Sequence, residues 1–137
     1  MKNLSEYMGQ AQDECFIKHG AFFSFSDSQF KTKAFKCVRY ASLGMGLYAP
    51  AVNAVQLRED LKSIYESAIE TDLKENGIEG VIKRELDNHE YSYTNDLHDT
   101  IEALSSYKPI TTDHIKDVTK NYLQEYYKHI DAQEGSE

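Results

Sequence analysis

The sequence lacks the features of several protein classes. Its 137 residues include two cysteines, Cys15 and Cys37, which are too few for a disulfide scaffold and do not form a C-x-x-C pair. No run of about 18 apolar residues occurs, so the sequence predicts no membrane span. The first residues contain no apolar signal core, and we expect no secretion. These absences favour a cytoplasmic protein with reduced thiols.

Motifs of common enzyme classes are also missing. The sequence has no G-x-x-x-x-G-K-[ST] phosphate loop, no G-x-S-x-G nucleophile elbow and no H-E-x-x-H zinc motif. Gly44-Met45-Gly46 offers only G-x-G, which favours a hairpin turn that needs positive φ. Cys37 lies in a predicted strand, which indicates a small core residue rather than a thiol nucleophile. The sequence therefore predicts no cofactor.

The composition is that of a folded protein with unevenly placed charge. Apolar residues make up 40%, and ten Tyr and six Phe are present, so we predict one globular domain over residues 1–137 with a frayed tail at 131–137. Residues 1–53 hold six basic and four acidic side chains, whereas residues 54–137 hold nine and nineteen. Such an acidic body disfavours direct binding of nucleic acid.

Hydrophobic periodicity switches from about 2 to about 3.6 residues at Asn53. Residues 21–49 contain short β-prone runs, and the longest helix is predicted to begin at Asn53 and to end near Asn76-Gly77. Further helices are predicted on both sides, with Pro109 ending one of them. The predicted fold class is α+β, mostly α-helical, with about five helices and a two- or three-stranded antiparallel sheet near the N-terminus.

The segment from Arg84 to Glu90 is the densest polar cluster. Glu85 and His89 are spaced i, i+4, so both could reach one metal from one helix face, with His98 as a further ligand. His89 also continues the apolar line of Ile82, which favours a hydrogen-bonded histidine at the core edge. A metal-dependent hydrolase using Glu85, His89 and His98 is thus an alternative to a structural role.

A basic patch lies between Lys31 and Arg39, where lysines alternate with aromatic residues. Basic side chains beside aromatic rings bind phosphate and stack on bases. Ordinary solvated surface explains the same pattern. A protein that binds a small nucleotide signal through this patch and the Gly44–Gly46 turn is therefore a second alternative.

Several segments together resemble a known family. They are Gly20–Ser26, Gln29-Phe30, Ser42–Leu47, Glu75–Ile78 and Arg84–Glu90. This combination, which covers roughly residues 18 to 107, is similar to a family of small uncharacterised proteins encoded by phages and integrated mobile elements of bacteria. The resemblance implies no activity and no catalytic residues. It implies a genetic context in which accessory proteins often inhibit host defence, as anti-CRISPR proteins do.

Charge and context together predict a non-catalytic inhibitor in the cytoplasm of a bacterial host. Its partner would be a nucleic-acid-binding defence protein, in the sharpest form a Cas effector, whose basic groove an acidic surface could occupy. Nothing in the sequence excludes self-association. The predicted contact residues are Glu59, Glu66, Glu70, Glu75, Glu79, Asp87, Glu90 and Tyr93, the tyrosine supplying anchoring area.

Overall fold

A computed structural model describes residues 1–134, with side chains as far as residue 130. The elements in chain order are α1 (Leu4–His19), β1 (Phe22–Phe23), α2 (Asp27–Lys33), β2 (Tyr40–Gly44), β3 (Leu47–Pro50), a 3-10 turn (Ala51–Asn53), α3 (Ala54–Asn88), α4 (Tyr91–Thr94), α5 (His98–Leu104) and α6 (Thr112–Glu134). Within this part of the chain, no helix has the length and apolar character needed to cross a membrane.

The predicted α+β class is confirmed: helices dominate, and one small antiparallel sheet lies near the N-terminus. The strand order is β1-β3-β2, so β3 is central, and Ala41 faces Ala49 across the β2–β3 hairpin. The hairpin turn places Gly44, Met45 and Gly46 at positive φ, as the G-x-G spacing predicted.

The prediction that Cys37 lies in a strand is wrong. Strand β2 begins at Tyr40, and Cys37 is exposed in a turn where the Val38 amide donates to the Phe35 carbonyl. The physical reason is that α2 ends only at Lys33, so the chain must turn before it can join the sheet. The β-prone composition of this segment gives no information about the turn between α2 and β2.

Helix α3 is interrupted at Gly77, whose φ of 71° and ψ of 165° are not helical. The sequence predicted a helix end here from Asn76-Gly77. Asp72 and Arg84 lie twelve residues apart, which would separate them by about 18 Å along a straight helix. Their side chains instead lie 2.7 Å apart, so the chain changes direction sharply at Gly77.

The chain forms two compact units. The first comprises residues 4–68 and is called the sheet unit. The second comprises residues 1–3 and the chain from Ile69 onward and is called the helical unit. The prediction of one domain over residues 1–137 stays a prediction. Helix α6 continues to Glu134, and the remainder of the predicted tail, 135–137, lies outside the described residues.

Each unit has its own core. In the sheet unit, Cys15, Ala49 and Leu57 are buried, and five partly buried apolar residues pack on them: Phe16, Ala21, Leu43, Leu61 and Ile64. In the helical unit the buried apolar residues include Val81, Ile82, Leu86, Leu104 and Tyr107. The helical core also contains charge, because Asp72 and Arg84 are buried with it.

Candidate functional site

The predicted acidic contact residues are all on the surface. Glu59, Glu66, Glu70, Glu75, Glu79, Asp87, Glu90 and Tyr93 are all exposed. Some also interact within the helical unit: Lys83 forms an ion pair with Glu79 at 3.1 Å, and the Tyr122 hydroxyl donates to Asp87 at 2.6 Å. Burial and this bond to Asp87 raise the pKa of Tyr122 to about 12. The acidic side chains are thus accessible to a partner.

The predicted ligands Glu85, His89 and His98 are only partly brought together. His89 Nε2 lies 3.4 Å from one Glu85 oxygen, and the other Glu85 oxygen accepts from Arg84 at 2.9 and 3.0 Å. His98 is exposed and lies 3.7 Å from Glu102 on its own helix, α5. Among the residues that the structure describes, these three do not form a group of potential metal ligands.

The partner of Glu85 belongs to a buried network in the helical unit. Arg84 donates to both oxygens of Asp72, at 2.7 and 2.9 Å, and the Tyr107 hydroxyl donates to Asp72 at 2.6 Å. Arg84 also donates to the backbone carbonyl of Lys2 at 3.0 Å. Each charged group has several hydrogen-bonding partners, which is what a buried ion pair requires to be stable.

This network shifts the pKa values of its members. Burial alone would raise the pKa of Asp72, but hydrogen bonds from Arg84, Tyr107 and Asn76 hold it below its ordinary value. Burial and the bond to Asp72 raise the pKa of Tyr107. At neutral pH Asp72 is therefore ionised and Tyr107 protonated. The network fits a structural role, because the side chain of each member is hydrogen-bonded to another member.

Part of the basic patch lines an open cavity of about 450 Å³ in the sheet unit. Its lining includes the lysines Lys31 and Lys36 beside the rings of Phe30, Phe35 and Tyr40. Phe35 is three-quarters exposed, whereas Phe30 and Tyr40 pack edge-to-face at 5.6 Å. The cavity is thus lined by two packed aromatic rings, one exposed ring and two lysine side chains.

The hairpin turn itself borders a different cavity. A volume of about 490 Å³ is lined by Gly46, Phe25, Asp27 and neighbouring residues. A side chain at Gly46 would place its Cβ 2.5 Å from the Phe25 ring, so glycine permits this close approach. A carboxylate in its lining, from Asp27, is unfavourable for a phosphate, because like charges repel. Gly46 and the two lysines therefore line different cavities, which share Phe30 in their walls.

A cluster that the sequence analysis did not identify lies between α1 and α3 in the sheet unit. Cys15, His19 and Asp60 each place one potential ligand atom within 4.8 Å of the others. His19 Nε2 lies 2.7 Å from Asp60 Oδ2, while Gln56 donates to Asp60 Oδ1 at 2.8 Å. The bond with His19, followed by that with Gln56, lowers the pKa of Asp60, and burial raises the pKa of the Cys15 thiol.

Part of this cluster left a signal in the sequence. Cys15 and His19 are spaced i, i+4 within a predicted helix, so they share a face. Asp60 lies 41 residues further on, and no local pattern places it opposite them. Likewise, Asp72 continues the apolar line of Ala68 and Ile69 along the helix, and a charge in such a line is a signal of burial.

Among known proteins, the chain matches one family. No curated protein and no solved structure matches it. A family model matches residues 4–131, which is longer than the resemblance noted over residues 18 to 107. The match agrees with the expectation of a family without an assigned activity. The chain belongs to DUF7659, a family of unknown function.

Proposed function

We propose that this protein is a non-catalytic inhibitor encoded by a phage or mobile element. It acts in the cytoplasm of a bacterial host by binding a defence factor directly, in the sharpest form a Cas effector. Its acidic residues would occupy a basic groove that otherwise holds nucleic acid, and complementary charge would speed association. The phage context rests on the resemblance of the sequence segments described above.

The observation that carries this proposal is the separation of charge between the units. The sheet unit holds seven basic and seven acidic residues and is neutral. The helical unit holds eight basic and sixteen acidic residues, which accounts for the net charge of −8 of the whole chain. A field concentrated in this way attracts a basic partner from a distance and orients it.

Exposed side chains provide the contact itself. Glu70 and Glu90 are exposed in the helical unit, and Tyr93 is 80% exposed. An exposed tyrosine supplies large contact area at a low entropy cost, and such residues are frequent binding hot spots. Charge would thus set the rate of association, and Tyr93 would contribute to the lifetime of the complex.

Affinity purification of the tagged protein from a bacterial lysate, followed by mass spectrometry, would identify the partner. A companion assay would express the protein in a bacterium with an active CRISPR system and measure phage plating efficiency. We expect the captured protein to be a basic, nucleic-acid-binding protein and plating efficiency to rise. Capture of acidic or membrane proteins alone would contradict the proposal.

Charge reversal then tests the acidic mechanism on the captured partner. Changing Glu70, Glu75 and Glu90 to Lys should slow association at low salt, and the defect should shrink at about 0.15 M salt as screening increases. The matched control reverses Asp99, Glu102 and Asp117, exposed acids of the same unit outside the predicted contact set.

The two triple variants carry the same net charge. If both slow association equally, total charge rather than a contact surface is responsible. If neither does, the acidic mechanism is wrong. Glu59 and Glu66 belong to the sheet unit, and a separate double reversal shows whether that unit also contacts the partner.

The lysine- and aromatic-lined cavity supports a second candidate function, binding of a small nucleotide signal. Lys31 and Lys36 would contact phosphate, while the exposed ring of Phe35 would stack on a base. Nucleotides that bind the folded state raise its melting temperature. We expect a Lys31→Ala/Lys36→Ala variant to lose this shift and a Lys116→Ala/Lys120→Ala control to keep it. No shift with any nucleotide would remove this candidate.

A further inference from the structure

We propose that Cys15, His19 and Asp60 form a binding site for one divalent transition-metal ion, for which zinc is the best match. This site lies within the sheet unit and is independent of the proposed function of the acidic residues. Its ligands would be one thiolate sulfur, one imidazole nitrogen and one carboxylate oxygen. Three protein ligands of these types leave a fourth tetrahedral position for water.

The backbone geometry brings the three side chains together. Cys15 and His19 are one helical turn apart on α1, so both point to the same side of that helix. Asp60 meets them from α3. Zinc bond lengths of 2.0 to 2.3 Å place neighbouring tetrahedral ligands about 3.4 Å apart. The ligand atoms here lie between 2.7 Å and 4.8 Å from one another, so small side-chain rotations suffice.

Groups around the cluster hold the ligands in place. Gln56 donates to Asp60 Oδ1, which leaves Oδ2 directed at His19 Nε2. An ion bound between these two atoms would replace the proton they share, and that proton would pass to His19 Nδ1 or to solvent so that a neutral imidazole coordinates the ion. Asn53 donates to the His19 carbonyl at 3.0 Å and fixes the end of α1. The Gln56 bond to the Asp60 carboxylate is of the kind that orients metal ligands and contributes to metal affinity.

An access route for the ion and its water is present. A cavity of about 350 Å³ is lined by Cys15 and Asp60 together with Glu14, Lys18 and Ser63. Cys15 and His19 are buried, whereas the Asp60 side chain is 29% exposed. The cavity therefore reaches Cys15 and Asp60, and the partly exposed carboxylate leaves room for one exchangeable water beside three protein ligands.

The donor set selects the class of metal. Magnesium and calcium prefer ligands that are all oxygen, whereas thiolate and imidazole favour zinc and similar transition metals. The other group of three possible ligands in the described residues is His98, Asp99 and Glu102, which is exposed and has no sulfur. That group provides an internal control for nonspecific binding of metal by surface carboxylates.

Binding would have two consequences that can be measured. The Cys15 thiol must lose its proton to solvent as sulfur coordinates the ion, so one proton is released from this ligand. An ion held only by the folded state also stabilises that state, because unfolding separates Asp60 from the two ligands on α1. Within the sheet unit, the ion would connect α1 to α3.

The test uses the full chain with its affinity tag removed, chelator-stripped and reduced. Titration with Zn²⁺ alone should show one ion per chain and a higher melting temperature. Titration with Co²⁺ should produce a thiolate-to-cobalt charge-transfer band and the intense visible absorption of a tetrahedral site. Absence of the charge-transfer band, or no bound zinc after dialysis, would overturn the proposal.

Matched variants assign the site. Cys15→Ser should abolish the charge-transfer band and Asp60→Asn should weaken binding, whereas Cys37→Ser and His98→Ala should behave as wild type. Gln56→Ala leaves all three ligands in place and should weaken zinc binding about 10- to 100-fold. Circular dichroism checks that each variant is folded. A band that persists in Cys15→Ser, or binding that is lost in His98→Ala, would refute the assignment.

Discussion

The two units of this protein differ in how they distribute charged side chains. The sheet unit is neutral overall yet exposes large apolar side chains, with Met45 at 94% and Phe25 and Phe35 at about three-quarters. The helical unit carries the whole net charge, yet it buries an ion pair between Asp72 and Arg84. The net charge of a unit therefore does not show whether charged side chains are buried in its core. A net charge of zero likewise does not show that a unit buries its apolar side chains.

This contrast underlies the two functions proposed above. Exposed rings and lysines around one cavity suit a ligand with a flat face and a phosphate, whereas dispersed carboxylates suit a basic macromolecule. The buried network in the helical unit serves another purpose, because its groups are all engaged with one another. Variants that change one unit at a time can sharpen or break this distinction.

The largest effect is expected from breaking the buried ion pair. Arg84→Met leaves the Asp72 carboxylate buried without its main partner, and removal of one member of such a pair costs about 3–5 kcal/mol. The free energy of unfolding, measured with urea, should fall by that amount. Lys83→Met is the matched control: Lys83 pairs with Glu79 and Glu125 at the surface, and its loss should cost at most about 1 kcal/mol. Equal costs for both variants would show that the network contributes no more than surface pairs.

A smaller loss is expected at the direction change in α3. Gly77 has φ of 71° and ψ of 165°, a region that only glycine adopts easily, so Gly77→Ala should cost about 1–3 kcal/mol. Gly9→Ala, in the regular helix α1, should instead stabilise by about 0.5–1 kcal/mol. Urea unfolding of both variants gives the comparison. If Gly77→Ala were also stabilising, the change of direction at Gly77 would not be part of the native structure.

Acid should affect the two units differently. The pKa of Asp72 is lowered in the folded state, so its contribution to stability is present above its unfolded-state pKa of about 3.9 and is lost as pH falls through the folded value. The stability difference between wild type and Asp72→Asn should therefore shrink below about pH 4. The pKa of Asp60 is also lowered, but this side chain is partly exposed. In protein freed of metal with a chelator, the stability difference between wild type and Asp60→Asn should therefore vary less with pH. If the stability difference between wild type and Asp72→Asn did not vary with pH, the pKa of Asp72 would not be lowered in the folded state.

The smallest effect is expected at the exposed apolar residues of the sheet unit. Phe35→Ser and Met45→Ser remove side chains that contribute little to the core, so each should change the free energy of unfolding by about 0.5 kcal/mol or less. Phe35→Ser should nevertheless weaken any nucleotide binding, whereas Met45→Ser should not. A large loss of stability in either variant would show that these residues belong to a packed surface.

Local signals in the sequence predicted local structure well. The G-x-G hairpin and the break at Gly77 are present as predicted. Ser26 accepts from the Gln29 amide at 3.2 Å, which is the bond that a Ser-x-x-Gln capping pattern produces. The prediction for Cys37 failed because β-prone composition outweighed the turn that the chain needed there. The exposure of the acidic residues was predicted, because helical periodicity separates a polar face from an apolar one.

The sequence by itself determined the fold class, the Ser26 cap, the hairpin turn and the excess of acid in the second part of the chain, because these depend on composition and on residues a few positions apart. Only the tertiary structure decided that Asp72 meets Arg84 and that Asp60 meets Cys15 and His19. The physical reason is the distance along the chain: such pairs form where packing brings remote segments together, and helical periodicity describes only one segment at a time.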